Sequence, residues 1–167
     1  MHDLPNRLSS RWAETAPPMQ AEQFVVIPGR GAASGQREYC EIGGALRAQK
    51  PLFKTAGLDL EAFFEGTINA RLPITRFEIR RPLFEARNIV WLPGYPGENF
   101  DFCNCSVEFD GRVYPGLVYY PRPETKTAFT KPTAENMIEI LAPIIPSLGH
   151  GSCGTLIIDS SQLELIY

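Results

Sequence analysis

Thr67 and Asn69 stand two residues apart in "GTINARL", directly after Gly66. Ile68, Ala70 and Leu72 alternate with Thr67, Asn69 and Arg71, which is the pattern of a half-buried strand. Residues two apart on a strand share a face, so the Thr67 hydroxyl and the Asn69 amide oxygen project together. A glycine just before them lets a ligand or a second backbone approach closely. Two neutral oxygens do not hold a metal by themselves. They can complete the shell of a Mg²⁺ that keeps its waters and is held mainly by substrate phosphates. The plainer reading is a pair of polar side chains on a surface strand.

Other groups carry chemistry of their own. In "PGRGAASG", Gly29 and Gly31 follow a predicted strand and Gly35 closes the segment. Glycines let backbone N–H groups turn inward toward an anion. The loop lacks the G-K-[ST] of a phosphate-binding loop, and no clean helix follows as a dinucleotide fold requires. Glu139 lies in the apolar run "MIEILAP", where a carboxylate is costly without a partner and can accept hydrogen bonds from a ligand, unless it faces solvent on an edge strand. Thr125 and Thr127 offer hydroxyls in the polar stretch "RPETKTAF". Arg71, Arg76, Arg80, Arg81 and Arg87 can meet phosphates, although charged residues on exposed strand faces are commoner.

Some chemistries are disfavoured. His150 in "LGHGSCG" stands where a nucleophile elbow needs glycine, and the strand-like "TLIID" follows Ser152 instead of a helix. A structural zinc site would show paired C-x-x-C knuckles, so Cys103 and Cys105 in "FCNCS" read as buried thiols. The chain of 167 residues carries a net charge of −3 with no basic stripe, which argues against nucleic acid as a partner. No apolar run reaches membrane-span length, and the N-terminus lacks the apolar core of a signal peptide. A cytoplasmic protein is expected.

These groups need a scaffold. Fifteen prolines and fourteen glycines leave little room for long helices. Residues 1–20 are expected to form an N-terminal arm, and 21–167 one domain. Strands are expected at 22–29 and 37–44, at 67–72, in one or two segments over 76–94, in a hairpin over 99–121 turning at Asp110-Gly111, and near the C-terminus over 155–167. The run 136–143 is a strand or a helical stretch. A helix over 45–57 is expected to be short or broken at Pro51, and Asp59 can cap one or two helical turns ending at Gly66. Seven or so short strands with two short helices and no βαβ rhythm point to a small closed barrel, because closure removes exposed edges.

The order "PGRGAASG", "LFKTAGLDLEAFFEGTINARL", "FDFCNC", "PRPET", "MIEILAP" resembles the CTP-dependent riboflavin kinases known mainly from archaea. That family carries a G-x-G-x-[GA] loop, a "PGTLN" motif and an "IEIIAP" segment in the same order, and the likeness runs from about residue 24 to 160. The resemblance implies a cradle-loop β-barrel of six to seven strands that phosphorylates riboflavin to FMN with CTP as donor and Mg²⁺ as cofactor. It implies that Gly29, Arg30, Gly31, Ala32, Ala33 and Ser34 line the nucleotide, with Ile144, Ile145, Pro146 and Ser147. Thr67 and Asn69 would coordinate Mg²⁺. Glu139 would hold the flavin, with Thr125 as the flavin-contacting threonine and Thr127 or Thr130 as alternatives. The residues offer no obvious general base beyond Glu139. The chain departs from the family at Ala32, where an acidic residue is more usual, and in "IIPSLGHGSCG", where a charged segment is expected. A barrel that binds a nucleotide, flavin or sugar without turnover is the alternative.

Overall fold

The computed structural model describes residues 16–126 and 134–167. Among the described residues, nine strands, one α-helix and two short 3-10 turns make a mainly β protein. The strands are β1 Met19–Val26, β2 Ile68–Arg71, β3 Arg76–Ile79, β4 Phe84–Ile89, β5 Glu98–Phe109, β6 Arg112–Pro121, β7 Met137–Leu141, β8 Cys153–Asp159 and β9 Leu163–Ile166. The helix, α1, is Ala45–Ala56.

Seven strands form one antiparallel sheet in the order β4-β5-β6-β7-β2-β1-β8, and β8 also pairs with β5. Six of them therefore close into a ring, with β4 added outside on β5. The strands β3 and β9 pair separately. Closure leaves the ring no free edge. The β5–β6 hairpin turns at Asp110 and Gly111, both with positive φ (51° and 71°), as a two-residue turn matched to strand twist requires.

Two apolar clusters result, and β5 feeds both. Its odd positions Cys103, Cys105 and Val107 face the ring interior, beside Phe24, Ala70, Ile138 and Ile158. Its even positions Phe100 and Phe102 face outward and are covered by α1. Phe53 of α1 packs edge-on against both rings, with centroids 5.0 and 5.1 Å away. Burial pushes the Cys103 thiol up to about 12, and Cys105 higher still, so both behave as apolar filling. All four cysteines are unbridged.

Several expected boundaries move. The first strand begins at Met19, within the expected arm, and ends at Val26. Residues 37–44 form no strand. Tyr39, Gly43 and Gly44 all take positive φ, and a 3-10 turn spans Cys40–Ile42, so the segment coils back toward the helix. Helix α1 runs through Pro51 to Gly57, whose φ of 114° ends it while Leu58 N–H donates to the Phe53 carbonyl. Tertiary packing of Leu46 and Phe53 outweighs the hydrogen bond lost at proline. The segment after Asp59 is a series of turns rather than a second helix. Asp59 Oδ1 accepts from Glu61 N–H, and Phe63 N–H donates to the Leu60 carbonyl. Residues 137–141 are strand. Among the described residues, no helix is long and apolar enough to cross a membrane.

Candidate functional site

The site begins at β2. Ala70 and Leu72 are buried in the ring, which turns Thr67 and Asn69 to the opposite face. Antiparallel pairing with β7 sets Asn69 opposite Glu139 and Ile68 opposite Ile140. Thr67 Oγ1 donates to Glu139 Oε1 at 3.2 Å. A hydroxyl, an amide and a carboxylate thus share one patch of two neighbouring strands.

The glycine loop is brought to this patch by two contacts. Ile27 N–H donates to the Asn69 carbonyl at 2.9 Å, which ties the end of β1 to β2. A Cβ on Gly29 would stand 2.3 Å from Asn69 Nδ2, so the side chain of Asn69 lies in the space that glycine leaves open. Farther along, the loop packs on α1. The Ala32 and Ala33 carbonyls accept from the N–H groups of Ala45 and Leu46, at 2.9 and 3.1 Å. The first amides of the helix are therefore capped by the loop. Gly44 is needed there, because a Cβ would meet the Ala33 carbonyl oxygen at 2.4 Å. Among the described residues, the amides of Gly31, Ala32, Ala33 and Ser34 donate to no backbone carbonyl.

Together these elements enclose a cavity of about 700 Å³, within the range of small-molecule sites. Residues 29–34, Thr67, Asn69 and Glu139 all line it, with Ile144 and Ile145. Pro146 and Ser147 do not; Ser147 instead takes a positive φ of 64° in the turn beyond. Thr125 does not line it either. Its hydroxyl accepts from Asn99 N–H at 2.9 Å and donates to the Arg122 carbonyl at 3.0 Å, which occupies it in a 3-10 turn. Thr127 and Thr130 lie outside the described residues. Phe102 is core, Tyr95 is half exposed outside the cavity, and Trp91 lines it.

The electrostatics are mixed. Arg30, Arg37 and Lys126 line the cavity and give it cationic character. Arg30 pairs with Glu38 at 3.0 Å, a half-exposed contact that contributes about 0–1 kcal/mol and yields readily to a stronger anion. Burial raises the pKa of Glu139 from its ordinary value, opposed by the charge of Lys126, the Thr67 hydrogen bond and the charge of Arg30. Of the arginines for which the sequence left phosphate contact or an exposed strand face open, Arg76 and Arg80 pair with Glu78 and Glu164, and Arg87 with Glu85 and Asp101.

Sequence reading missed several lining residues, among them Gln49, Tyr119, Arg37 and Lys126. Gln49 had a signal: it falls in the apolar stripe Ala45, Leu46, Phe53 of α1, where hydrocarbon is the rule. The others carried none. Among the described residues, no group of three or more His, Cys, Asp or Glu could cage a metal. The donors at Thr67, Asn69 and Glu139 are all oxygen, which suits a hard cation that takes its remaining ligands elsewhere. The chain matches no family model, and no curated protein matches it.

Proposed function

We propose that this protein is a riboflavin kinase that moves the γ-phosphoryl group of CTP to the riboflavin 5′-hydroxyl, giving FMN and CDP in the cytoplasm. One observation carries the reading: the glycine loop 29–34 and the pair Thr67 and Asn69, far apart in sequence, line one cavity. It adds to the likeness of "GTIN" and "IEILAP" to the family's motifs, which here occupy facing strands.

Phosphoryl transfer demands positioning and charge neutralisation more than covalent chemistry from the protein. The loop amides of residues 31–34 would donate to donor phosphates, with Arg30 and Arg37 balancing charge. Thr67 and Asn69 would hold Mg²⁺, which offsets the charge on the bridging phosphate oxygens when bound. Ile144 and Ile145 would pack on the nucleoside. Glu139 would accept from the flavin or its ribityl chain. Its raised pKa also brings it nearer the range of a group that takes the 5′-hydroxyl proton.

The test is incubation with riboflavin, Mg²⁺ and CTP or ATP, followed by chromatography for FMN. FMN formation that falls sharply in Thr67→Val and Asn69→Ala supports the kinase. Nucleotide binding with no FMN from any donor would instead make the protein a non-catalytic binding barrel.

A further inference from the structure

Gln49 has no part in the chemistry just described, yet it is a polar side chain only 1% exposed. Its Oε1 accepts a 2.8 Å hydrogen bond from the buried hydroxyl of Tyr119. That bond uses the acceptor end of the amide and fixes its plane, leaving the Nε2 donors. No described residue accepts from Nε2, and Nε2 is not among the side-chain atoms sealed off without a partner. Gln49 lines the cavity, so its donors open onto it. A donor held at this depth costs stability unless something accepts from it.

The same wall supplies flat surfaces. Trp91 donates its Nε1–H to Glu98 Oε2 at 3.0 Å, and Tyr39 packs edge-on against it at 5.1 Å. All three line the cavity. Glu98 acts electrostatically on Tyr119 and lines the cavity beside Trp91, so a carboxylate lies at this end. Carboxylates repel phosphates, whereas the glycine loop and its arginines attract them. This end suits an uncharged planar heterocycle with an acceptor on its rim.

We infer that Gln49 donates to a ring carbonyl of the flavin substrate, and that Tyr119 is the positioning residue that holds its amide. The inference rests on the riboflavin reading above; the isoalloxazine carries carbonyl oxygens on one edge.

Riboflavin binding is measured by quenching of flavin fluorescence, and Mg²⁺–CTP binding by calorimetry, for the wild type, Gln49→Met, Tyr119→Phe and the double variant. Gln49→Met keeps the volume and removes the donor. It should weaken riboflavin binding about tenfold and leave Mg²⁺–CTP within about twofold. Tyr119→Phe should weaken riboflavin about threefold. The double variant should be no weaker than Gln49→Met, a non-additivity that a purely structural tyrosine would not produce. If Gln49→Met fails to fold, Tyr119→Phe decides through its riboflavin-to-CTP ratio. Unchanged riboflavin affinity in both, with the wild type making FMN, overturns this inference alone. Loss of CTP rather than riboflavin binding also overturns it. A wild type that neither binds riboflavin nor makes FMN removes the kinase reading and this inference together.

Discussion

Asp101 and Glu139 are both carboxylates on strands, taken largely out of water, and the protein treats them differently. Asp101 is fully buried on β5, and each oxygen faces a guanidinium: Arg87 Nη2 and Arg122 Nη2, both at 2.7 Å. Glu139, among the described residues, has one hydrogen-bond partner, the Thr67 hydroxyl. The first is matched by the fixed charge of two arginines, one on β4 and one just past β6, although among the described residues its Oδ2 makes no hydrogen bond. The second borders a cavity and, among the described residues, makes no ion pair. Charge matched by fixed countercharge builds architecture; charge left without it beside open space is available to a ligand.

The largest effect should separate these roles. Replacing both Arg87 and Arg122 with Met leaves Asp101 buried and unanswered, and should cost about 3–5 kcal/mol in urea denaturation. Glu139→Gln, by contrast, should leave stability nearly unchanged or raise it, because it removes a desolvated charge. Equal losses in the two would break the comparison.

Next come Thr67→Val and Asn69→Ala. Each should lower the rate of FMN formation roughly 10- to 100-fold while shifting the denaturation midpoint little. A rate that holds in both would show that the polar patch is architecture as well.

Gly29→Ala should be milder on the fold and still felt at the site. The added methyl displaces the Asn69 amide from its present position. A stability cost of about 1 kcal/mol with weakened Mg²⁺ dependence is expected, by denaturation and by metal titration of activity.

The smallest effect is in pH. The folded pKa of Glu139 is raised above its unfolded value of about 4.5. The native state then binds more protons than the unfolded state between those two values, so stability falls as pH rises through that window. Below it, the wild type and Glu139→Gln should respond alike. Above it, the wild type should lose ground, a difference measured by paired melts across pH.

Much of the closed sheet was legible because alternation survives in a strand with one face buried. "TINARL" and the Asp110-Gly111 hairpin are of that kind. The candidate site was legible, as residues that line one cavity, through glycine and paired oxygens. Other features were hidden for definite reasons. Pro51 argues locally against a helix that the contacts of Phe53 sustain. "REYCEIGG" has apolar residues enough for a strand, but its close backbone packing at Gly35 and Gly44 is a property of three dimensions. Thr125 has the chemistry of a ligand contact and spends it on Asn99 and Arg122. Gln49 matters only because Tyr119, seventy residues away, fixes its amide.

The capping of α1 by the Ala32 and Ala33 carbonyls has a consequence for observation. The first two amides of the helix cannot exchange with deuterium unless the glycine segment lets go. Their protection factors therefore record the loosening and tightening of that segment, read from the start of the helix at the cavity's edge.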